Sequence, residues 1–136
     1  IMVLVVGETA RGESFSLNGY AKDTNAELEA LLKNKEAILN FSNASSCGTE
    51  TAVSLPCMFS GMTRKNYDDT LASHREGLLD VAKYAGYQVT WIENNSGCKK
   101  TCDRVNSFVL PPEIKKSLCT DDACLDDVLL LSLKTY

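Results

Sequence analysis

The chain opens on a continuous run of six apolar residues, residues 1–6, four of which are β-branched. A run without alternating polar residues is typical of a strand that is covered on both faces in a parallel sheet. Helices usually provide that cover, because they form the crossover connections between parallel strands. The run therefore predicts an α/β fold with a parallel sheet.

Helical and strand patterns alternate along the rest of the chain. One predicted helix is capped by Ser73, has Glu76 at its third position and ends at Gly86. The other predicted segments are helices over 24–34, 51–58 and 126–134, the last largely buried, and strands over 38–41 and 87–92. This order describes βαβ units. Since such a fold continues from its last helix into another strand, we expect these residues to form the first part of a larger α/β domain.

Composition excludes several classes of protein. The 136 residues fit one domain, residues 1–136, and the fractions of hydrophobic (44%) and charged (24%) residues exclude a disordered chain. The formal net charge of −4, without a long basic block, excludes nucleic acid as the partner. No apolar run reaches the roughly 20 residues that cross a bilayer. We therefore expect any targeting or anchoring segment to lie upstream.

The six cysteines fall into three close pairs along the sequence. Pairing of neighbours is the simplest of the possible disulfide connectivities, and a single imidazole, His74, argues against a finger-type metal site. Metal-bound or free thiols remain the alternative. Three disulfides would indicate an oxidising compartment such as the periplasm, the cell surface or the extracellular space. The neighbouring pairs are Cys47 with Cys57, Cys98 with Cys102, and Cys119 with Cys124.

Three loops lie where an open α/β sheet places its ligands, beyond the carboxyl ends of strands. In the first, residues 7–11, Glu8 follows the apolar run and is either a metal ligand or a solvated carboxylate. The third loop, residues 93–100, offers amides, a hydroxyl and lysines that could hold a phosphate or a polar headgroup. Turn formation with solvated lysines is the alternative for this loop.

The second loop, residues 46–57, places several hydroxyls inside a ring that a disulfide would close. At a helix N-terminus, Thr51 could carry a phosphoryl group stabilised by backbone N–H groups and the helix dipole. A threonine nucleophile needs a base or a metal, and His74 is no obvious base. Helix capping and turn hydrogen bonds are the alternative roles for Thr49 and Thr51.

Several segments resemble the lipid A phosphoethanolamine transferases, which include the mobile colistin-resistance enzymes. The matching motifs are VVGETAR (5–11), LNGY (17–20) and SCGTETAVSLPCMF (46–59), with further likeness over 91–96, 98–104 and 119–127. The resemblance implies an alkaline-phosphatase/sulfatase-like catalytic domain. It also implies a place on the periplasmic face of the bacterial inner membrane, behind a transmembrane segment that this sequence lacks. The compartment and the close spacing together predict the three neighbouring disulfides.

The resemblance also implies a zinc-dependent mechanism and its residues. Glu8 matches a zinc ligand, and Thr51 matches both a zinc ligand and the nucleophile that takes phosphoethanolamine from phosphatidylethanolamine. Asn95, Ser96 and Lys99 match positions near the headgroup pocket. Diacylglycerol would leave first, and a lipid A phosphate would then attack the phosphoethanolamine-threonine intermediate.

The family's other zinc ligands belong to later motifs that this sequence does not contain, so we expect an incomplete catalytic domain. A non-catalytic, disulfide-stabilised envelope interaction module is the alternative function. A sulfatase or phosphoglycerol transferase activity is a further alternative. Sulfatases generally use a modified cysteine or serine, however, and Cys47 and Cys57 are unavailable if they pair with each other.

Overall fold

The computed structural model describes residues 1–34, 38–120 and 123–135, so two residues of the predicted family segment 119–127 lie outside it. The chain forms two compact units, Ile1–Ser45 and Ser46–Tyr136. None of the helices in these described ranges has the length and apolar character needed to span a membrane. The helices are α1 (Ala26–Lys33), α2 (Thr51–Phe59), α3 (Asp69–His74), α4 (Leu78–Tyr84), α5 (Pro112–Leu118) and α6 (Asp127–Thr135), and the strands are β1 (Thr90–Trp91) and β2 (Asn106–Ser107).

The first unit contains α1 but neither of the two strands predicted for it. Residues 1–6 form no ladder, and their side chains are at least 37% exposed. Residues 38–41 likewise form no ladder, so both strand predictions are wrong for this structure. The physical reason is that a strand depends on hydrogen bonds to a neighbour, and the sheet found in the described residues consists of β1 and β2 alone.

The second unit contains the parallel sheet that the sequence predicts. Strand β1 pairs in parallel with β2, with Thr90 opposite Asn106 and Trp91 opposite Ser107. The predicted strand over 87–92 is thus reduced to two residues, and β2 is polar and too short to predict. The Trp91 ring packs edge-on against Phe59 of α2, with 5.8 Å between ring centroids. This contact joins the sheet to the helix that begins at Thr51.

The helix predicted from Ser73 to Gly86 is two helices in the structure. Asp68 caps α3 by accepting a hydrogen bond from the backbone N–H of Leu71 at 2.7 Å, which places Ser73 inside α3. The chain leaves the helical conformation at Arg75, and α4 begins after its N-cap residue Gly77, where a Cβ atom would lie 2.6 Å from the carbonyl oxygen of Phe59. Close packing against α2 therefore selects glycine at the start of α4. The predicted end is confirmed, since Gly86 has a φ of 88°.

The last helix forms where it is predicted but is less buried than expected. In α6 Val128 and Ser132 are fully buried, whereas Leu130 and Leu133 are 59% and 43% exposed. Residues four apart lie on one side of a helix, so a single edge of α6 packs against the unit. The expectation of a largely buried helix is wrong because this packing covers only that edge.

Candidate active site

The disulfide between Cys47 and Cys57 closes a ring around the N-terminus of α2. Glu50 occupies the N-cap position without a side-chain capping bond, and Thr51 is the first helical residue. Neither Thr49 nor Thr51 is therefore the N-cap residue, which removes the plain capping role considered for them. The Thr51 side chain is half-buried at the positive end of the helix dipole.

The body of α2 is anchored by buried side chains. Leu55, Cys57 and Phe59 are 8%, 2% and 4% exposed, and Pro56 lies within the helix without ending it. Beyond the helix, the buried Ser60 hydroxyl donates to the carbonyl oxygen of Cys57 at 2.9 Å. The disulfide ties the segment before α2 to the C-terminal half of the helix, which is itself packed in the core, so the backbone at Thr51 is held from both sides.

The structure brings together the three residues expected near a headgroup. The backbone N–H of Ser96 donates to Oδ1 of Asn95 at 2.8 Å. The Lys99 ammonium donates to the Ser96 carbonyl oxygen at 2.7 Å and to the Ser96 hydroxyl at 3.0 Å. Lys99 and Lys100 have positive φ angles of 50° and 68°, which are uncommon for residues other than glycine. An ammonium, a hydroxyl and an amide thus lie within one short turn that suits a phosphate group.

Glu8 lies in an exposed loop of the first unit, whereas Thr51 and the headgroup residues belong to the second. The Thr9 hydroxyl donates to Oε1 of Glu8 at 3.1 Å, and Thr9 has a left-handed φ of 55°. His74 lies at the end of α3, where its Nδ1 is 2.7 Å from the carbonyl oxygen of Thr70. This contact is local to α3.

An ion pair between a buried carboxylate and a half-exposed arginine was not predicted. Nε and Nη2 of Arg104 donate to the two carboxylate oxygens of Asp80 at 2.7 and 2.6 Å. The same carboxylate accepts the backbone N–H of Gly77 at 2.8 Å. The hydrogen bonds from Arg104 have the largest effect and, with the bond from Gly77, lower the pKa of Asp80 from 3.8 to about 2. Burial acts in the opposite direction, because it disfavours the charged carboxylate. Asp80 and Arg104 are 24 positions apart, and no sequence pattern relates residues at that separation, so the ion pair could not be predicted from the sequence.

A cavity of about 430 Å³ lies beside α2 in the second unit. Ala52 and Pro56 of α2 line one side of the cavity. Lys99, from the loop over residues 93–100, and Arg104, which follows that loop, also line it. Its size falls within the roughly 300–1,000 Å³ typical of small-molecule pockets. The cavity therefore places a polar, partly cationic space next to the helix that Thr51 begins.

The three predicted disulfides are present, as Cys47–Cys57, Cys98–Cys102 and Cys119–Cys124. Cys98 and Cys102 also lie near the carboxylate of Asp103, in an arrangement that resembles a metal site. Zinc binds thiolates, however, and these sulfurs are bonded to each other. This cluster is therefore a structural bridge.

Comparisons with known proteins agree with the resemblance of the sequence motifs. The sulfatase family model matches residues 1–136. The chain belongs to the sulfatase family. It is 46% identical to the phosphoethanolamine transferase EptA of Salmonella typhimurium over 136 residues, which are all of this chain and 24% of that protein. It is 42% identical to the phosphatidylethanolamine transferase Mcr-1 of Escherichia coli over 105 residues, covering 77% of this chain and 19% of Mcr-1.

A solved structure gives the same assignment. The soluble domain of lipooligosaccharide phosphoethanolamine transferase A from Neisseria meningitidis has a TM-score of 0.85 and 43% identity, covering 95% of this chain and 38% of that domain. The sulfatase-like fold and the resemblance to the lipid A phosphoethanolamine transferases are therefore confirmed. The chain spans about a quarter of the length of the curated EptA relatives.

Proposed function

We propose that this chain belongs to the catalytic domain of a phosphoethanolamine transferase, which moves phosphoethanolamine from phosphatidylethanolamine to lipid A or another envelope acceptor. The observation that carries the proposal is the position of Thr51, at the first turn of α2 inside the Cys47–Cys57 ring. The names of the relatives support the transferred group and, for the Neisseria protein, a lipooligosaccharide acceptor.

Thr51 acts in this proposal as the nucleophile of a two-step transfer. Its oxygen forms a bond to the donor phosphorus, the bond from phosphorus to the diacylglycerol oxygen breaks, and diacylglycerol leaves with a proton. An oxygen of the acceptor phosphate then attacks the same phosphorus and releases the Thr51 hydroxyl. The N-terminus of α2 stabilises the charge on the transferring group through its dipole and backbone N–H groups.

Glu8 and Thr51 are the residues of this chain that we propose as zinc ligands. When bound, zinc would favour the threonine alkoxide and neutralise charge on the phosphoryl oxygens. A carboxylate and a hydroxyl are suitable oxygen donors, but a catalytic zinc site needs more protein ligands than these two. The two oxygen ligands are therefore of a kind that zinc accepts, but two ligands are fewer than a catalytic zinc site needs.

Asn95, Ser96 and Lys99 are proposed to bind the donor headgroup. The Lys99 ammonium is held against Ser96 within one turn, where it can also reach a phosphate oxygen. The polar amide of Asn95 and the Ser96 hydroxyl add uncharged partners for the same group. This cluster would orient the donor phosphate, and Thr51 would supply the attacking oxygen.

We propose the periplasmic face of the bacterial inner membrane as the location. Three disulfides require an oxidising compartment, and a second solved structure similar to this chain is that of an integral membrane form of the Neisseria transferase. Transfer of phosphoethanolamine would place a cationic ammonium group beside the phosphate of the acceptor. Cationic polymyxins would then bind the acceptor less tightly, which accounts for a role in polymyxin resistance.

The test of this proposal is direct detection of the covalent intermediate. Full-length protein is mixed with phosphatidylethanolamine in detergent and analysed by intact mass spectrometry and peptide mapping. We expect a mass increase of one phosphoethanolamine on the peptide that contains Thr51. Unmodified protein together with unconsumed donor would contradict the transferase and favour the non-catalytic envelope module. Sulfate-ester hydrolysis is disfavoured as the activity, since Cys47 and Cys57 are bonded to each other.

Zinc should bind the isolated 136-residue chain weakly and below one equivalent, because Glu8 and Thr51 provide too few ligands. Metal analysis after equilibrium dialysis measures the stoichiometry. Glu8→Gln should remove most of the residual binding, while Glu13→Gln in the same unit should leave it unchanged. A stable one-to-one complex would contradict this expectation and would indicate further ligands within these residues.

A further inference from the structure

Asn94 stands directly before the residues proposed to bind the headgroup, and it makes two long-range hydrogen bonds. Its side-chain nitrogen donates to the carbonyl oxygen of Cys124 at 2.9 Å and to Oδ1 of Asp126 at 2.8 Å. These partners lie 30 and 32 residues further along the chain. One amide group therefore ties the end of β1 to the segment that leads into α6.

The hydrogen bonds of the proposed headgroup residues are local, in contrast to those of Asn94. Among the described residues, the side-chain hydrogen bonds of Asn95, Ser96 and Lys99 all remain within their own turn. Such bonds shape the turn internally but do not hold it against the rest of the unit. The two bonds of Asn94 supply such an attachment on one side of the turn, and the disulfide from the buried Cys98 to Cys102 lies on the other.

The segment that receives these bonds is itself restrained. The disulfide from Cys119 to Cys124 closes it, and the backbone N–H of Thr120 donates to the carbonyl oxygen of Ala123 at 2.8 Å. The Cys124 carbonyl is thus a firm anchor point for the amide of Asn94. Through Asn94, the disulfide between Cys119 and Cys124 is therefore connected to the proposed headgroup turn, from which it is distant in sequence.

We propose, on the basis of the function proposed above, that Asn94 is a positioning residue that holds the headgroup turn of Asn95, Ser96 and Lys99 in its binding position. Its chemistry requires an amide. The neutral NH₂ group has two hydrogens and donates to both a carbonyl and a carboxylate, whereas a carboxylate at this position would face two acceptors. Asn94→Asp keeps the shape of the side chain and converts both attractions into repulsions.

The experiment measures phosphoethanolamine binding to the full-length protein by isothermal titration, with thermal unfolding as a check on folding. Asn94→Asp should weaken binding by about tenfold. Asp126→Asn alone should bind like wild type, because its amide oxygen still accepts from Asn94. In the double variant, the amide of Asp126→Asn can donate to the new carboxylate, so affinity should return to within about threefold of wild type. Asn66→Asp, at an exposed asparagine in the same unit, is the matched control.

Hydrogen exchange of the backbone amides of Ser96 and Lys99 gives a second readout. Faster exchange in Asn94→Asp, reversed in the double variant, supports positioning of the turn. Equal affinity and equal exchange in wild type and Asn94→Asp would overturn the inference, as would absence of phosphoethanolamine binding to wild type. Retained binding without covalent labelling of Thr51 would instead contradict the proposed transfer and leave the positioning role supported.

Discussion

Replacing Thr51 with Ala should abolish phosphoethanolamine labelling of the full-length protein while its thermal unfolding stays close to that of wild type. The substitution removes the oxygen that forms the covalent bond to phosphorus, so transfer should fall by about three orders of magnitude or more. Alanine has the highest helix propensity and keeps the Cβ atom, and position 51 is the first residue of α2. Intact mass and acceptor modification measure the two steps.

Thr49→Ala is the matched control for this prediction. Thr49 lies in the same disulfide-closed ring, two positions before Thr51, and precedes the helix. We expect Thr49→Ala to retain labelling, since its hydroxyl does not stand at the helix N-terminus. Labelling that persists in Thr51→Ala would refute the assignment, and peptide mapping would then show whether Thr49 or Ser54 carries the group.

Breaking the ion pair between Asp80 and Arg104 should give the largest loss of stability among the charge substitutions. Removal of one partner leaves a buried carboxylate with fewer bonds, because the Asp80 side chain is 8% exposed. The Arg104 side chain is 47% exposed, so water compensates part of the loss. We therefore expect Arg104→Ala to lower the free energy of unfolding by about 2 kcal/mol, less than for a fully buried pair. Urea denaturation at neutral pH measures this change.

The same pair predicts how stability depends on pH. The folded state lowers the pKa of Asp80 from 3.8 to about 2, so the unfolded state binds the proton more readily. The stabilisation is fully present above about pH 4 and is lost as the pH falls toward 2. Wild type should lose up to about 1–2 kcal/mol over this interval, and Arg104→Ala should lose less.

A fully exposed ion pair provides the control for the pair between Asp80 and Arg104. Arg11 and Glu13 are 75% and 69% exposed, and their removal should change stability too little to measure. If Arg104→Ala and Arg11→Ala unfold at the same urea concentration, or if wild type and Arg104→Ala respond alike to acid, the assigned role of the pair between Asp80 and Arg104 is wrong.

The features that could be predicted from the sequence are those decided by residues near one another along the chain. The three disulfides join close cysteines, α2 begins at Thr51 as its pattern indicates, and Gly86 ends α4 because its left-handed backbone suits glycine. The turn that contains Asn95, Ser96 and Lys99 is local too, since its hydrogen bonds join residues at most three positions apart, and its proposed role in headgroup binding stays a prediction. Short loops and single turns depend mainly on local backbone geometry and nearby side chains.

Tertiary structure decided the features that need a distant partner. The apolar pattern of residues 1–6 describes a strand, but a strand forms only with a hydrogen-bonded neighbour, and these residues have no ladder here. The helical pattern from Ser73 to Gly86 is interrupted between His74 and Leu78, where Gly77 packs so closely against the Phe59 carbonyl that no Cβ atom would fit. The bonds from Arg104 to Asp80 and from Asn94 to Asp126 span 24 and 32 residues. Periodicity and spacing contain no information on such pairs, because folding rather than sequence proximity brings their atoms together.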